Sequence, residues 1–277
     1  MKHSEGYIKG EREANIYYQN WLPDGEVKAS ILISHGMGEH SGRYLNIAEY
    51  FIPKGFGVYA LDHYGHGKSD GTRVHVEKFQ DLTIPLRTYS YMILDQHPGK
   101  PLFLMGQSLG ALIGTAFLLE DQTGFTGAIF TAAGVKLPEN ITPLTVVMAK
   151  ILSVVMPKAG AAQMEYQYLS QDQKLLDAFY NDPLVYTGKT TARLGTESLR
   201  IMQRIDKEGG KIILPLLILH GEEDKLVALG AAKHLAEKVG SEDKTLKIYK
   251  GHWHDLLHDT GVEEVLADIE EWIEKRL

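Results

Sequence analysis

Short apolar runs alternate with longer stretches of helical spacing along most of this chain, and this pattern restricts the possible folds most strongly. Most runs are rich in Val, Ile and Tyr and apolar throughout, as strands buried on both faces of a parallel sheet are. They predict strands over residues 13–21, 28–34, 57–61, 101–105, 127–132, 214–219 and 245–249. The stretches between them predict helices over residues 44–52, 79–95, 108–120, 230–239 and 262–275. The alternation indicates an α/β fold in which crossover helices join parallel strands.

The alternation stops between residues 134 and 211. No run there predicts a strand, and helix-like stretches are separated by Pro138, Pro143, Pro157 and Pro183. Because strand patterns resume afterwards, the segment is better interpreted as an insertion than as an independent domain. We therefore expect a core formed by residues 1–134 and 211–277, and a helical cap formed by residues 135–210.

Composition excludes several classes of function. The 277 residues carry 36 acidic and 29 basic side chains without a basic stripe, so we expect no nucleic-acid partner. The absence of cysteine excludes disulfides, thiolate catalysis and Cys-ligated zinc. The N-terminal residues are charged where a secretory signal is apolar, and no apolar run reaches the length of a membrane span. We expect a cytoplasmic protein, and the sequence indicates no oligomeric state.

One serine lies at a predicted junction between strand and helix. Residues 101–112 read PLFLMGQSLGAL, an apolar run followed by a turn and a helix of small residues. This pattern is typical of a nucleophile elbow, whose strained turn exposes the Ser108 hydroxyl. Gly106 and Gly110 lack the side chains that would collide with the neighbouring strand and helix. The alternative is a serine that only caps a helix N-terminus.

A serine hydroxyl needs a base to take its proton and an acid to orient that base. In chains with such an elbow the order is Ser, then Asp or Glu, then His. Downstream, LPLLILHGEED ends a predicted strand at Asp224, with Glu222 and Glu223 as rival acids. Further on, TLKIYKGHWHDLLH contains His254, our choice of base. Because side chains alternate along an extended segment, His252 can face the same way, and spacing alone does not decide between them.

The histidines of this last segment also permit a second interpretation. His252, His254 and His258 have a spacing that resembles a metal cluster. No matching carboxylate motif accompanies them, so we expect neither a metal nor an organic cofactor.

The oxyanion formed by serine attack on a carbonyl needs two backbone N–H donors. Leu109, directly after the serine, carries the first. The second is expected in ILISHGMGEH, where His35 and Gly36 end a predicted strand and the Met37 amide can point inward. An alternative interpretation is a tight turn with a hydrogen-bonded histidine. This interpretation is compatible with a role of the loop in the oxyanion hole.

Several segments together resemble the monoacylglycerol lipases. They are HGMGEHSGRY at 35–44, ALDHYGHGKSDG at 60–71, GQSLG at 106–110, YNDPLVYTGK at 180–189 and DKTLKIYKGHWH at 243–254. The resemblance runs through nearly the whole chain. It implies the α/β-hydrolase fold: a mostly parallel central sheet with helices on both faces and a helical cap inserted after strand 6.

The resemblance also implies roles for individual residues. The catalytic triad of the family falls on Ser108, Asp224 and His254, and its oxyanion hole on the amides of Met37 and Leu109. Two positions depart from the family pattern. Many relatives carry His before the nucleophile where this chain has Gln107, and Met37 replaces a smaller residue. Both changes are expected to narrow or reshape the alcohol-side pocket.

The implied reaction is hydrolysis of single-chain acyl esters, most directly of monoacylglycerol to glycerol and fatty acid, through an acyl-enzyme on Ser108. The partner would then be a small-molecule ester. Lysophospholipases and general carboxylesterases share these motifs and are the alternative within enzymes. A non-catalytic ligand-binding member of the fold is the alternative outside enzymes, against which an intact triad argues.

Residues 141–157 read ITPLTVVMAKILSVVMP, which is apolar on more than one face of a helix. One interpretation is a lid helix. Leu144, Met148 and Ile151 would then line an acyl-chain tunnel, and the outer face would touch micelles or membrane transiently. The alternative is a helix that packs against the core and a second cap helix.

Overall fold

The computed structural model describes residues 1–137 and 141–277. Its strands are β1 (Lys2–Lys9), β2 (Asn15–Leu22), β3 (Ala29–Ser34), β4 (Phe56–Leu61), β5 (Leu102–Gln107), β6 (Phe125–Thr131), β7 (Gly160–Ala162), β8 (Thr190–Thr191), β9 (Leu216–Gly221) and β10 (Lys244–Tyr249). Its helices are α1 (Leu45–Phe51), α2 (Gln80–Gln96), α3 (Leu109–Leu118), α4 (Pro143–Val155), α5 (Gln173–Asn181), α6 (Ala192–Glu208), α7 (Leu229–Lys238) and α8 (Val262–Glu274).

Within these residues, eight strands form a central sheet in the order β1-β2-β4-β3-β5-β6-β9-β10. The strands from β4 to β10 in this order run parallel, whereas β2 pairs antiparallel with both β1 and β4. The carboxyl ends of the parallel strands meet at one edge, where ligands of such sheets bind. The mostly parallel sheet expected from the sequence is confirmed.

Helices cover both faces of the sheet because successive side chains of a buried strand point in opposite directions. Leu32 and Leu104 belong to one buried cluster, together with residues of α2, α3, α6 and α7. Ile33 and Phe103 belong to the other cluster, with α1 and α8. The apolar runs that form β3, β4, β5, β6 and β9 are thus strands with helices on both sides, as predicted, whereas the run 245–249 forms the edge strand β10, in which only Tyr249 is buried.

Three strands were not predicted. β1 has the sequence KHSEGYIK and is exposed apart from Ile8, so it carries no apolar run. It exists because it pairs along its whole length with β2 at the edge of the sheet. The other two, β7 and β8, form a short antiparallel ribbon in the segment where the sequence predicted no strand. They comprise 3 and 2 residues, too few to show a period.

The helical segment follows β6, as expected, and contains α4, β7, α5, β8 and α6 before β9 resumes the sheet. Leu194 and Ile205 of α6 lie in the buried cluster that covers the sheet. Tyr166, Leu169, Leu176 and Phe179 form a further small buried cluster within the segment. The segment therefore rests on the core through α6 and also has a small buried cluster of its own. The limits of 135–210 for the cap, and of 1–134 and 211–277 for the core, stay predictions, and Pro138 lies outside the described residues. No helix that the structure describes is long and apolar enough to cross a membrane.

Candidate active site

Ser108 lies between the last residue of β5 and the first residue of α3, with φ 53° and ψ −112°. This left-handed backbone is strained for a residue with a side chain, so the surroundings must hold it. A Cβ atom at Gly106 would lie 2.7 Å from the carbonyl oxygen of Gly110, and one at Gly110 would overlap that of Ser34. Only glycine fits at both positions, and the tight turn brings Ser108 to the carboxyl edge of the sheet.

Asp224 and His254 come from the loops after β9 and β10. His254 Nδ1 donates to Asp224 Oδ2 at 2.8 Å. The other carboxylate oxygen accepts the backbone N–H groups of Leu226 and Val227 at 2.8 and 2.9 Å. Because an ionised carboxylate only accepts, the imidazole proton lies on Nδ1 and Nε2 is left as the basic nitrogen.

Burial disfavours the charged form of each member of this pair, but the partner's charge outweighs that effect. The pKa of Asp224 is lowered and the pKa of His254 is raised from their ordinary values. His254 is also 1% exposed. The pair therefore consists of a basic imidazole and the ionised carboxylate that is hydrogen-bonded to it, and the imidazole is shielded from bulk water.

A histidine that the sequence did not single out also faces this carboxylate. His220 Nε2 donates to the Val227 carbonyl at 2.9 Å and lies 3.5 Å from Asp224 Oδ2. Burial lowers the pKa of His220, so this imidazole stays neutral. In the sequence, the only indication of His220 is that it directly follows the predicted strand over residues 214–219.

The rival residues lie elsewhere. Glu222 and Glu223 are exposed, and the His252 ring packs on Tyr249 at 5.5 Å between centroids. Ser108 and His254 line one small cavity together, and His254 contacts Asp224. Among the residues that the structure describes, no group of three His, Asp or Glu side chains is arranged to hold a metal ion.

The amide of Met37 belongs to a peptide unit held from behind by His35. His35 Nδ1 donates to the Gly36 carbonyl at 2.8 Å, and its Nε2 accepts the backbone N–H of His63 at 2.9 Å. These partners require a neutral ring with its proton on Nδ1, and burial lowers the pKa of His35 accordingly. Since a trans peptide points its N–H opposite to its C=O, the Met37 N–H points away from His35.

Leu109 is the first residue of α3, so its N–H has no acceptor within the helix and carries the positive end of the helix dipole. Met37 and Ser108 line the same cavity. The structure thus brings both predicted amides to the loops around the serine.

A buried polar network supports these loops, and sequence reasoning missed it. Gln107 donates through Nε2 to Asp255 at 2.8 Å and accepts from the Tyr44 hydroxyl at 2.9 Å. The same hydroxyl lies 2.8 Å from Glu39 Oε1. Arg43 contacts Glu39 at 2.9 Å and Asp255 at 3.4 Å. The network joins the serine turn, the Met37 loop and the residue directly after His254.

Burial opposes ionisation of Glu39, but the charge of Arg43 outweighs it and lowers the pKa of this carboxyl group. Asp255 behaves in the same way, with the neighbouring His258 as the main opposing influence, and its pKa is also lowered. Two buried carboxylates therefore lie at the cavity wall beside the serine.

Two cavities adjoin at this site. The cavity that contains Ser108 has a volume of only about 10 Å³, and Met37 and Gln107 form part of its wall. The second measures about 560 Å³ and shares Met164 with the first. Its wall includes apolar residues of both cap and core, namely Leu137, Ile141, Met202, Leu226 and Val227.

Leu144, Met148 and Ile151 of α4 line neither cavity. Their exposed fractions are 68%, 62% and 59%. Substrate contact by these three side chains stays a prediction, and in this structure they face outward.

The chain matches one family model over residues 25–261, that of Hydrolase_4, described as serine aminopeptidase, S33. It is 30% identical over 274 residues to a monoacylglycerol lipase of Mycolicibacterium smegmatis, covering 99% of this chain and 98% of the relative. It is 33% identical over 265 residues to human monoglyceride lipase, covering 94% and 87%. The crystal structure of a monoacylglycerol lipase from Paleococcus ferrophilus superposes with a TM-score of 0.82 at 27% identity, covering 95% of this chain and 99% of that one.

These matches extend over both the sheet and the helical segment. The resemblance drawn from the sequence motifs is confirmed. The chain belongs to the serine aminopeptidase S33 family of α/β-hydrolases, as a member similar to the monoacylglycerol lipases.

Proposed function

We propose that this protein hydrolyses carboxylic esters of single-chain acyl lipids, most directly monoacylglycerol to glycerol and a free fatty acid. The observation that carries the proposal is the His254–Asp224 pair, which meets Ser108 in a small cavity beside a larger one whose wall is mostly apolar. The similarity to monoacylglycerol lipases supports the same substrate.

In the first step, Ser108 Oγ attacks the ester carbonyl while His254 Nε2 takes its proton. Asp224 holds the ring and stabilises the imidazolium that forms. The amides of Met37 and Leu109 donate to the oxyanion of the tetrahedral intermediate. His254 then protonates the leaving glycerol oxygen, which leaves an acyl-enzyme on Ser108.

In the second step, a water molecule takes the place of glycerol. His254 accepts a proton from this water as it attacks the acyl carbon, and a second oxyanion forms in the same amide pair. As this intermediate collapses, the bond from the acyl carbon to Ser108 Oγ breaks, His254 returns the proton to Ser108 Oγ, and the fatty acid is released. No step requires a cofactor.

The two cavities suit the two parts of the substrate. The larger one, with Leu137, Met202 and Leu226 in its wall, is suited to an acyl chain. The small one has room for about one water molecule, so it suits the ester group at Ser108 and not a whole glycerol, and Glu39, Gln107 and Asp255 in its wall are polar neighbours for the alcohol side. Arg43 pairs with both carboxylates, so the three groups together keep one net negative charge, which disfavours a phosphate beside the serine and favours glycerol as the leaving group.

We also propose that α4 contacts lipid surfaces. Its side toward α6 is hydrogen-bonded: Arg193 donates to the Ser153 carbonyl at 3.2 Å and Thr196 to the Ala149 carbonyl at 3.4 Å. The opposite side exposes large apolar side chains, namely Leu144, Val147, Met148, Ile151, Val154 and Val155. Apolar residues facing outward with lysines at 150 and 158 nearby suit a membrane or micelle surface. The proposal describes a cytoplasmic enzyme that binds membranes transiently.

The test is turnover of a long-chain monoacylglycerol by wild type and by Ser108→Ala. We expect the variant to fold and to lose turnover, and normal activity in it contradicts the assignment. Lysophosphatidylcholine and short p-nitrophenyl esters, assayed in parallel, separate a monoacylglycerol lipase from a lysophospholipase or a general esterase. Failure of a fluorophosphonate probe to label Ser108 favours a non-catalytic binding protein.

A further inference from the structure

A segment of the cap is bonded directly to the loop that carries Met37. The Tyr186 N–H donates to the carbonyl of Gly38 at 2.7 Å. His40 Nε2 lies 2.9 Å from Asp182 Oδ2. These contacts join residues 182–186, which follow α5, to residues 38–40, which follow β3. Neither contact belongs to the triad.

His40 is oriented by both of its ring nitrogens. Its Nδ1 accepts the backbone N–H of Gly42 at 3.2 Å, so its proton lies on Nε2 and is donated to Asp182. Asp182 is oriented in turn, because its Oδ1 accepts the N–H of Leu184 at 2.8 Å. Each member of the pair is therefore held by its own loop before it meets the other.

The fit at Gly38 leaves no spare space. This residue has φ 75°, in the left-handed region that favours glycine. A Cβ atom here would overlap the Tyr186 carbonyl oxygen and lie 2.7 Å from the Tyr166 hydroxyl oxygen. That hydroxyl donates to the same carbonyl at 3.2 Å. Loop and cap segment are therefore in direct backbone contact at Gly38.

Met37 lies between Gly36, which the core holds, and Gly38, which contacts the cap. On its N-terminal side the peptide is held by the core, through His35 and through Glu39 Oε1, which accepts the Gly36 N–H at 2.6 Å. On its C-terminal side Gly38 and His40 contact the cap, whereas Glu39 between them is held by Arg43 and Tyr44 of the core. The core therefore sets the orientation of the Met37 peptide, and the contacts with the cap act on the position of the loop that carries it.

We infer that Asp182 acts through His40 as a positioning residue for the oxyanion hole, so that the Met37 amide is aligned only while residues 182–186 are seated on the loop. This inference rests on the proposed function. It assigns the cap a part in the chemical step, beyond covering the substrate. An oxyanion donor stabilises charge only within hydrogen-bond distance of the developing anion, so a small displacement of the amide lowers kcat without changing ground-state binding.

Two substitutions at one position separate the contacts of His40. In His40→Gln, an amide nitrogen replaces Nε2 and still reaches Asp182. In His40→Asn, an amide oxygen replaces Nδ1, so the Gly42 contact remains and the contact with Asp182 is lost. Asp182→Ala removes the same contact from the other side. Thr191→Val is the control, since it removes a cap-to-core hydrogen bond to the Val74 carbonyl, 2.9 Å long, together with the contact to His75 and the N-cap bond of α6 at Leu194, and none of these touches the Met37 loop.

Each variant is studied in three assays. The first gives kcat and KM on monoacylglycerol and on p-nitrophenyl butyrate. The other two measure inhibition by an acyl trifluoromethyl ketone and inhibition by an alkylglycerol ether. The ketone carbon bonds to Ser108 Oγ as His254 takes the serine proton, and the ketone oxygen becomes an anion in the oxyanion hole. The ether binds without reacting, so it reports ground-state affinity alone.

We expect His40→Asn and Asp182→Ala to lose about 10-fold or more in kcat and in ketone affinity, short of the roughly 10²-fold to 10³-fold lost with a whole oxyanion donor. Ether affinity stays within about 2-fold, and His40→Gln and Thr191→Val stay near wild type. Equal losses in Gln and Asn variants, or an ether affinity that falls along with kcat, overturn the inference. If wild type cleaves p-nitrophenyl butyrate but not monoacylglycerol, the proposed substrate is wrong, and the same comparison still decides the inference on the soluble ester.

Discussion

The imidazole of His35 donates to the carbonyl of Gly36 at 2.8 Å, and that carbonyl shares its peptide plane with the Met37 amide. The orientation of a candidate oxyanion donor is thus set by a buried ring on the opposite side of the peptide. The ring has to be neutral, because its other nitrogen accepts the His63 N–H.

Replacing this ring with an apolar one is the first prediction. His35→Leu leaves the His63 N–H buried without a partner, which costs about 1–3 kcal/mol of unfolding free energy. It also frees the Gly36–Met37 peptide, so kcat on a soluble ester is expected to fall by roughly 10²-fold at most. Urea denaturation and steady-state kinetics measure the two effects. A variant with full kcat would show that the peptide needs no support from His35.

The second prediction concerns the choice among three adjacent acids. Asp224→Asn removes the charge behind His254 and permits the wrong tautomer of its ring, so kcat is expected to fall by about 10⁴-fold. Glu223→Gln is the matched control, because this exposed side chain lies one residue away. Steady-state kinetics on one ester compares both variants. A large loss in Glu223→Gln with little loss in Asp224→Asn would reverse the assignment.

The third prediction is the pH dependence of kcat/KM. His254 has to be unprotonated to accept the serine proton, and its pKa is raised above the ordinary value of 6.5. Activity should therefore fall as the pH drops through that raised pKa. In Asp224→Asn the charge that raises the pKa is absent, so the remaining activity should show its acidic limb at lower pH. A limb that does not move would exclude this pair as its source.

The contributions of His254 and Asp224 to folding stability depend on pH in opposite directions. Because the pKa of His254 is raised on folding, its contribution is fully present below the unfolded value and is lost as pH rises through the folded value. Because the pKa of Asp224 is lowered, its contribution is present above the unfolded value and is lost as pH falls through the folded value. Urea denaturation of wild type and Asp224→Asn across this pH range measures both limbs.

The fourth prediction tests the network beneath the serine turn. Gln107→Met keeps the length of the side chain but leaves the Tyr44 hydroxyl and the Asp255 carboxylate short of one partner each. We expect a loss of about 2–4 kcal/mol in unfolding free energy. Gln173→Met on the exposed side of α5 is the control and should change stability by less than about 0.5 kcal/mol. Similar values for the two variants would mean that the network contributes nothing measurable.

The fifth prediction concerns the outward face of α4. Val147→Asp and Val154→Asp together place charges on side chains that are 52% and 75% exposed. Binding to phosphatidylglycerol vesicles, measured by sedimentation, should fall, and hydrolysis of vesicle-bound substrate should fall by more than hydrolysis of a soluble ester. Ile213→Asp, at a site 70% exposed before β9, is the control. An equal effect at Ile213 would indicate a change of net charge rather than a specific surface.

Local pattern was enough to predict much of the fold. Strands buried on both faces are recognisable as apolar runs. The serine turn requires glycine two residues before and two residues after Ser108, which is a local requirement. By contrast, β1 is a polar edge strand, and nothing in KHSEGYIK indicates that it pairs with β2. The ribbon of β7 and β8 is too short to have a period.

For the site, the sequence by itself determined which side chains carry the required chemistry, since a strand end followed by an acid or a histidine is visible in one dimension. Only the tertiary structure decided which of them meet. Gln107 and Asp255 are separated by 148 positions, and His40 and Asp182 by 142, so no spacing rule relates them. Gln107 meets Asp255 because parallel strands bring loops from distant parts of the chain to one edge of the sheet. His40 meets Asp182 because the cap segment after α5 lies over that edge. Burial then makes each partner necessary to the other.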